Sequence, residues 1–364
     1  MKRLLRWMEG TALLGLGAGL LMRPQAAAAG AREGLRLCAQ VVIPALFPFL
    51  VLSTLAVSLG AAAALGRLLV PAAGPLLGIG RCGCGALALG LLSGYPVGAQ
   101  TVRGLWESGQ LSRGEAERLL AFCNNCGPAF VLSAAGAGVF GSTAMGMLLL
   151  AGHWLGTLSV GILFRIFGKT AKKSDAVAPI HVTTLSSALN RAVGQGLRAM
   201  GSVCAYTVLF GVVIRLLEEA GALRLLEGVP NGPALARGLL DLTGGVGCLD
   251  PRLPGAAELA AALLGWGGMA VLCQTMAVLE GCGLRKRFAV TGKLLHGCCA
   301  ALWTHVLLLW VPLERPGMAT ALSAAGRGAA GDVWPWAAAV WGIVWGSWLV
   351  FIIIHSGKAG GKRV

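Results

Sequence analysis

Charge is what this sequence has least of. Asp, Glu, Lys and Arg together make up 12% of its 364 residues, about half the share of a soluble domain. Five windows contain none at all: 37–66, 82–102, 119–164, 259–279 and 333–357. Windows that long exclude an ordinary water-soluble core, because about 20 apolar residues cross a bilayer as a helix. Aromatic residues are also few, at 6%. None interleave with the basic residues in the way a nucleic-acid surface requires, so the net charge of +15 does not predict a nucleic-acid partner. No Walker loop, HExxH, GxSxG or conspicuous carboxylate pair occurs, and the expectation is a protein that is not an enzyme and carries no cofactor and no metal.

Cysteine is present but lacks order. The 11 cysteines have no regular spacing, and Cys38, Cys204, Cys273, Cys298 and Cys299 lie in apolar runs, where a thiol acts as a small hydrophobe. Cys123 and Cys126 have CxxC spacing, yet no βαβ pattern surrounds them and no adjacent cation would stabilise a thiolate. They are not expected to be a redox pair.

What the sequence does have is apolar length: hydrophobic residues reach 56% and mean hydropathy is +0.75. Candidate crossings fall near 7–22, 41–60, 84–104, 119–140, 143–164, 193–214, 257–279, 291–311 and 334–354. Proline-broken stretches at 62–80 and 222–246 read as half-helices or interfacial helices. Basic clusters at Arg165–Lys173, Arg285–Lys293 and Lys358–Arg363 follow the positive-inside pattern, whereas the acid-rich 215–256 segment fits the outside. One candidate is then too many for a cytoplasmic N-terminus, and roughly eight crossings result. The class is all-α: a polytopic helical membrane protein in two related halves with broken or re-entrant helices.

The organisation divides into residues 1–34 (a first helix resembling a signal anchor, read as uncleaved), 35–167, a polar linker at 168–190, 191–312, and a C-terminal helix with a basic tail at 313–364. The halves are aligned by Gln100-Thr101 over Gln274-Thr275, an offset of 174 residues (274 − 100). Related halves around a linker are common in secondary transporters, whose sites lie where the repeats meet.

Within an uncharged run, "LLSGYPVGAQT" is poorly suited to an ordinary helix. Pro96 removes a hydrogen bond, and Ser93, Gly94 and Gly98 leave backbone uncovered. Gly94 and Gly98 also have the small-xxx-small spacing of a close packing seam. Both readings stay open on spacing alone. A second break follows at Asn124, Asn125, Gly127 and Pro128. Opened backbone at membrane depth is tolerated only against protein or a wet cavity. The expected site is therefore two broken helices, 93–100 and 124–128, facing one polar cavity, with Gln100 and Asn125 both lining it. Amides suit a neutral hydrogen-bonding ligand better than a bare cation.

Other polar residues point less clearly. His153, in mid-span, reads as bonded to a neighbouring helix rather than as a proton relay. His296 and His305, nine residues apart, do not share a face as metal ligands would. Lys293 lies near a span end and is expected to snorkel.

"CAQVVIPALFPFLVLSTL", "LGLLSGYPVGAQ", "LSRGEAERLLAFCNNCGPAFV" and "GKLLHGCCAAL", in that order, resemble the YlbJ-type sporulation integral membrane proteins, a group within the nucleoside-recognition, or Gate, domain family. The resemblance spans about 35–312 and is strongest over 44–135. It implies a transporter-like fold, a multi-pass place in the cell membrane (mother cell or forespore) and a role in spore cortex formation. It also implies a small polar solute, nucleoside-like or a cell-wall precursor, at Ser93, Gly94, Tyr95, Pro96, Gly98, Gln100, Asn124, Asn125, Gly127 and Pro128, with Gln274 and Thr275 from the second half. The second half departs further from the pattern: Gly268, Met269 and Ala270 stand in place of a GYP, and no asparagine pair follows. The first half is thus expected to supply more of the site. Partners are the lipid bilayer, that solute, and further copies of the chain or other sporulation membrane proteins. The alternative is a scaffold in spore envelope assembly that keeps the fold without moving anything.

Overall fold

The structure, a computed structural model, describes residues 2–59, 61–167 and 184–311. Most of the polar linker, the expected crossing at 334–354, and Lys172, Lys173, Lys362 and Arg363 lie outside the described residues. Every regular element among the described residues is helical, as the apolar windows require.

The chain opens with α1 (Lys2–Met22) and α2 (Pro24–Leu37), whose Pro24 sits in the first turn, where a missing N–H is harmless. A π-helical turn leads into α3 (Ile43–Ser58), followed by α4 (Ala61–Leu77). Next come α5 (Arg81–Ser93), α6 (Val97–Glu107) and α7 (Arg113–Phe122). An unwound stretch at 123–127 and a π-helical stretch (Phe130–Val139) precede α8 (Thr143–Ile166). The second half holds α9 (Leu185–Glu219), the short α10 (Gly232–Leu240) and α11 (Leu242–Gly247), then α12 (Ala256–Trp266), α13 (Gly268–Val278) and α14 (Arg287–Trp310). Among the described residues four helices are long and apolar enough to cross a membrane, or up to six if each bent pair counts as one span. Two of the long helices, α8 and α9, start at side chains that meet free amide donors: Ser142 accepts from Met145 N–H, and Thr184 from Ser187 N–H.

The stretch expected as one crossing at 84–104 is instead a re-entrant hairpin. Gly94 has φ of +83°, where a side chain would be strained, and Pro96 starts the return arm at a position that needs no N–H. Both outer ends of the hairpin lie at one face. Gly80 N–H donates to Glu115 Oε1 at 2.6 Å beside the start of α5. At the end of α6, Arg103 donates to Val278 O at 2.7 Å and Trp106 to Cys282 O at 3.0 Å. The 13-residue arm α5 rises roughly 20 Å, which carries the tip toward the middle of a hydrocarbon core about 30 Å thick.

A second, shorter hairpin, α10–α11, turns at Asp241. Its base is closed by Asn231 and Asp250, whose side chain and backbone exchange bonds of 3.1 and 2.8 Å. This base lies at the opposite face. The 24-residue α14 runs from Arg287, next to the base of the first hairpin, to the end where His305 meets Glu258 at the start of α12 (3.1 Å). Between the faces, α12 and α13 form one 23-residue span interrupted at Gly267, with φ of +84°.

Small residues let these elements approach closely. A Cβ added at Gly265 would meet the Gly297 backbone at 2.7 Å, and one at Gly156 would meet Ala300 N at 2.9 Å. Such contacts press α12 and α8 onto α14, and around them Leu149, Ala260, Ala261 and Leu264 are fully buried.

Candidate functional site

Three interruptions meet near the centre: the tip of the first hairpin, the unwound 123–127 segment, and the Gly267 break. The first two lie backbone to backbone. A Cβ at Gly94 would meet Gly127 N at 3.0 Å, while one at Gly90 or Gly98 would fall on the Cys123 carbonyl. The glycines of the hairpin are thus a packing seam, and what they pack against is opened helix. Both readings of the sequence apply to the same residues.

The unwound segment has its polar groups satisfied by protein at nearly every position. Asn124 Nδ2 donates to Thr275 Oγ1 at 2.9 Å, and Thr275 in turn donates to Val271 O at 2.8 Å. Asn125, fully buried, donates to Phe122 O at 2.9 Å and accepts from Thr157 Oγ1 at 2.9 Å. Cys126 N–H donates to His153 Nε2 at 3.2 Å. His296 reaches His153 O at 2.9 Å, and the two imidazoles lie 4.3 Å apart. His153 does bond to a neighbouring element, the broken span itself. His305 points elsewhere, to Glu258, so the two histidines of α14 are separate.

Lys293 corrects the sequence reading most sharply. It does not snorkel: only 4% of it is exposed. Its ammonium donates to the Tyr95 hydroxyl at 2.7 Å and the Asn124 carbonyl at 3.2 Å, and lies 4.4 Å from the centre of the Tyr95 ring. The Tyr95 hydroxyl in turn donates a hydrogen bond to Leu264 O at 2.9 Å. Two turns inside α14, the side chain is too far from the face to reach it and finds the hairpin tip instead. Nothing in the sequence signalled that tip as its neighbour.

A small cavity of about 40 Å³ opens beside these groups, lined in part by Tyr95, Cys126, Gly127, Asp241, Thr243 and Gln274. Both hairpin tips contribute, since a Cβ at Gly267 would meet Tyr95 Oη at 3.1 Å and one at Gly268 would meet Leu242 N at 2.9 Å. Gln274 is 3% exposed, and its Oε1 has no partner among the described residues. Asp241, 5% exposed, caps α11 by accepting Gly244 N–H at 2.8 Å.

Of the expected site residues, Tyr95, Gly127 and Gln274 line this cavity. Ser93, Asn124, Asn125 and Thr275 are buried beside it, and Ser93 Oγ and Asn124 Oδ1 have no partner among the described residues. Gly94, Pro96 and Gly98 build the tip, and Pro128, half-buried, restarts helix after the break. Gln100 is corrected: it sits exposed on the outer side of α6, apart from Asn125 and from the cavity. The pairing of Gln100 and Asn125 across one cavity therefore fails, because α6 turns its buried face, Val97, Gly98, Ala99 and Val102, inward. The expectation that the first half supplies more of the site is also corrected, since Asp241, Thr243 and Gln274 come from the second. By sequence Asp241 belongs to the acid-rich 215–256 segment that fits the outside, and only the hairpin brings it inside.

Ionic contacts gather at the base of the first hairpin. Glu117, 1% exposed, accepts from Arg285 Nε at 2.7 Å, Arg285 N–H at 3.1 Å and Arg113 Nε at 3.1 Å. The hydrogen bond to Glu117 holds the Arg285 guanidinium above its ordinary value. At the opposite face, Arg252 binds the exposed Asp250 carboxyl and holds it at about 2.

Apolar helices of spanning length, interrupted spans and amides buried among them define a polytopic α-helical membrane protein. The particular kind is given by comparison with known proteins. The chain is 31% identical over 332 residues to "Sporulation integral membrane protein YlbJ" of Bacillus subtilis (strain 168), covering 82% of this chain and 81% of that protein. It belongs to the YlbJ family of sporulation integral membrane proteins. No protein-family model matches the chain, and no solved structure matches it.

Proposed function

We propose that this protein acts in spore envelope formation, in the mother-cell or forespore membrane, as a Gate-type transporter-like protein that takes a small polar solute between its two hairpin tips. The observation that carries this is the meeting of Tyr95 and Asp241, from hairpins entering at opposite faces, around the buried Gln274, whose Oε1 has no partner among the described residues. An inverted repeat accounts for that arrangement. In each half a hairpin is followed by an interrupted span and then a 24-residue helix, and α8 and α14 begin 144 residues apart (287 − 143). Inverted repeats with discontinuous helices at the midplane are the usual frame for alternating access. The register differs from the Gln-Thr alignment, which placed an exposed Gln100 over a buried Gln274. Nothing in this reading requires a catalytic step.

The size of the cavity favours the alternative, a scaffold that does not transport. A volume of about 40 Å³ holds a few waters, against roughly 300–1,000 Å³ for ligand pockets. A nucleoside-sized solute requires the tips to part. Thermal-shift screening of the purified protein with nucleosides, sugars and peptidoglycan precursors separates the readings. A stabilising ligand whose effect is lost in Gln274→Leu supports the solute site. A stable co-purifying membrane partner with no ligand response supports the scaffold.

A further inference from the structure

Lys293 has no carboxylate partner among the described residues. An ammonium buried at membrane depth without a counter-ion is unfavourable by several kcal/mol unless oxygen ligands replace its water. Here the phenol of the hairpin tip and a main-chain carbonyl of the unwound segment do so, at 2.7 and 3.2 Å, with the Tyr95 ring face as a third favourable surface. Those oxygens belong to two elements that share few other polar bonds: the hairpin joins the break otherwise through the apposed glycines. The remaining titratable neighbours are Cys123 and Cys126 from the unwound segment, His153 from α8 and His296 one turn along α14, none of which is a carboxylate.

We propose that the Lys293 ammonium is a built-in monovalent cation that clamps the α5–α6 tip to the unwound 123–127 segment, so that closure of the central cavity needs no bound metal ion. A cation carried on a side chain has its place fixed by α14, and that place does not depend on which ions are in solution. Opening the cavity past Tyr95 then requires withdrawing one lysine rather than releasing an ion. The inference concerns closure alone and holds whether or not a solute enters.

Cys126 lines the cavity and is 2% exposed, so its alkylation rate reports opening. The full chain in lipid nanodiscs is alkylated, and modification at Cys126 is read by peptide mass spectrometry. For the wild type the rate should be the same in sodium, potassium and choline chloride. Lys293→Ala should react about tenfold faster, the factor that losing one charge-assisted hydrogen bond corresponds to. Propylammonium, which replaces the deleted atoms and their charge, should restore slow labelling in a saturable way, and neutral 1-propanol should not. Equal rescue by propanol would reduce Lys293 to a space-filling residue and overturn the clamp. So would a sodium-dependent wild type. If Lys293→Ala does not fold, Tyr95→Phe removes one clamp oxygen while keeping the ring; several-fold faster labelling is expected, and an unchanged rate overturns the proposal.

Discussion

The imidazole Nε2 of His153 accepts the backbone N–H of Cys126 at 3.2 Å. This bond caps a donor that the interruption of the helix has orphaned, and the acceptor is itself fully buried. Replacing His153 with Leu should therefore destabilise the protein by about 1–3 kcal/mol, the desolvation cost of one unpaired buried donor. His153→Gln, which keeps an acceptor, should recover part of the loss. Thermal unfolding in detergent measures both. A Leu variant as stable as wild type would mean that the unwound segment is held by its other bonds alone.

Glycine substitutions distinguish the seam from ordinary surface on the same hairpin. A side chain at Gly98 would overlap the Cys123 carbonyl, whereas one at Gly104 meets nothing within 4 Å. Gly98→Ala should lower stability by about 1–3 kcal/mol through overpacking. Gly104→Ala should be neutral, or stabilising by up to ~1 kcal/mol through helix propensity. Equal effects at the two positions, in a denaturation series, would remove the seam from the account.

These contrasts show what a linear reading can and cannot carry. Uncharged length predicted the helices, and the helix breakers at Gly94, Pro96 and 123–127 were visible because breakers in an apolar run are conspicuous. Whether the chain passes on or turns back after a break is set by what receives it. The answer depends on Arg103 and Trp106 finding carbonyls at Val278 and Cys282, about 175 residues away. The surroundings of Lys293 and Gln274 escape a linear reading for the same reason. A lone polar residue in a span carries no sequence mark of its partner, and the partners, Tyr95 and the cavity, exist only once both halves are assembled. Asp241 is hidden by its neighbourhood in the 215–256 segment, which has four other acids, and its burial follows from a hairpin too short to be read as a membrane element.

Glu117 ties two segments at the base of the first hairpin: its own helix, where it also meets Arg113, and the loop carrying Arg285. Arg285 is half exposed, so solvent screens much of the ion pair, but the carboxylate is buried at 1% and accepts a main-chain donor as well. Glu117→Gln should therefore loosen the loop more than it unfolds the protein. Hydrogen exchange over residues 279–286 should rise by about tenfold, as expected when a charge-assisted bond is lost locally. Exchange unchanged there would show that Arg113, through its 2.8 Å bond to Gly283 O, suffices to hold the loop.

The two faces can be assigned by charge and checked with native thiols. Arg81, Arg113, Arg165, Arg285, Lys286 and Arg287 belong to the face at the base of the first hairpin, and Glu218, Glu227, Asp250 and Glu258 to the other. The positive-inside bias puts the first in the cytoplasm. Cys248 is exposed in the short turn that closes the second hairpin and is the natural reporter of the outer face, while Cys282 lies in the loop beside Trp106 at the inner one. In intact cells an impermeant maleimide should modify Cys248 readily and spare Cys282, and permeabilisation should bring Cys282 into reach. Cys248→Ser should abolish the first signal, which ties it to that position. Labelling of Cys282 from outside, with Cys248 protected until the membrane is breached, would invert the protein and with it the faces from which the two hairpins enter.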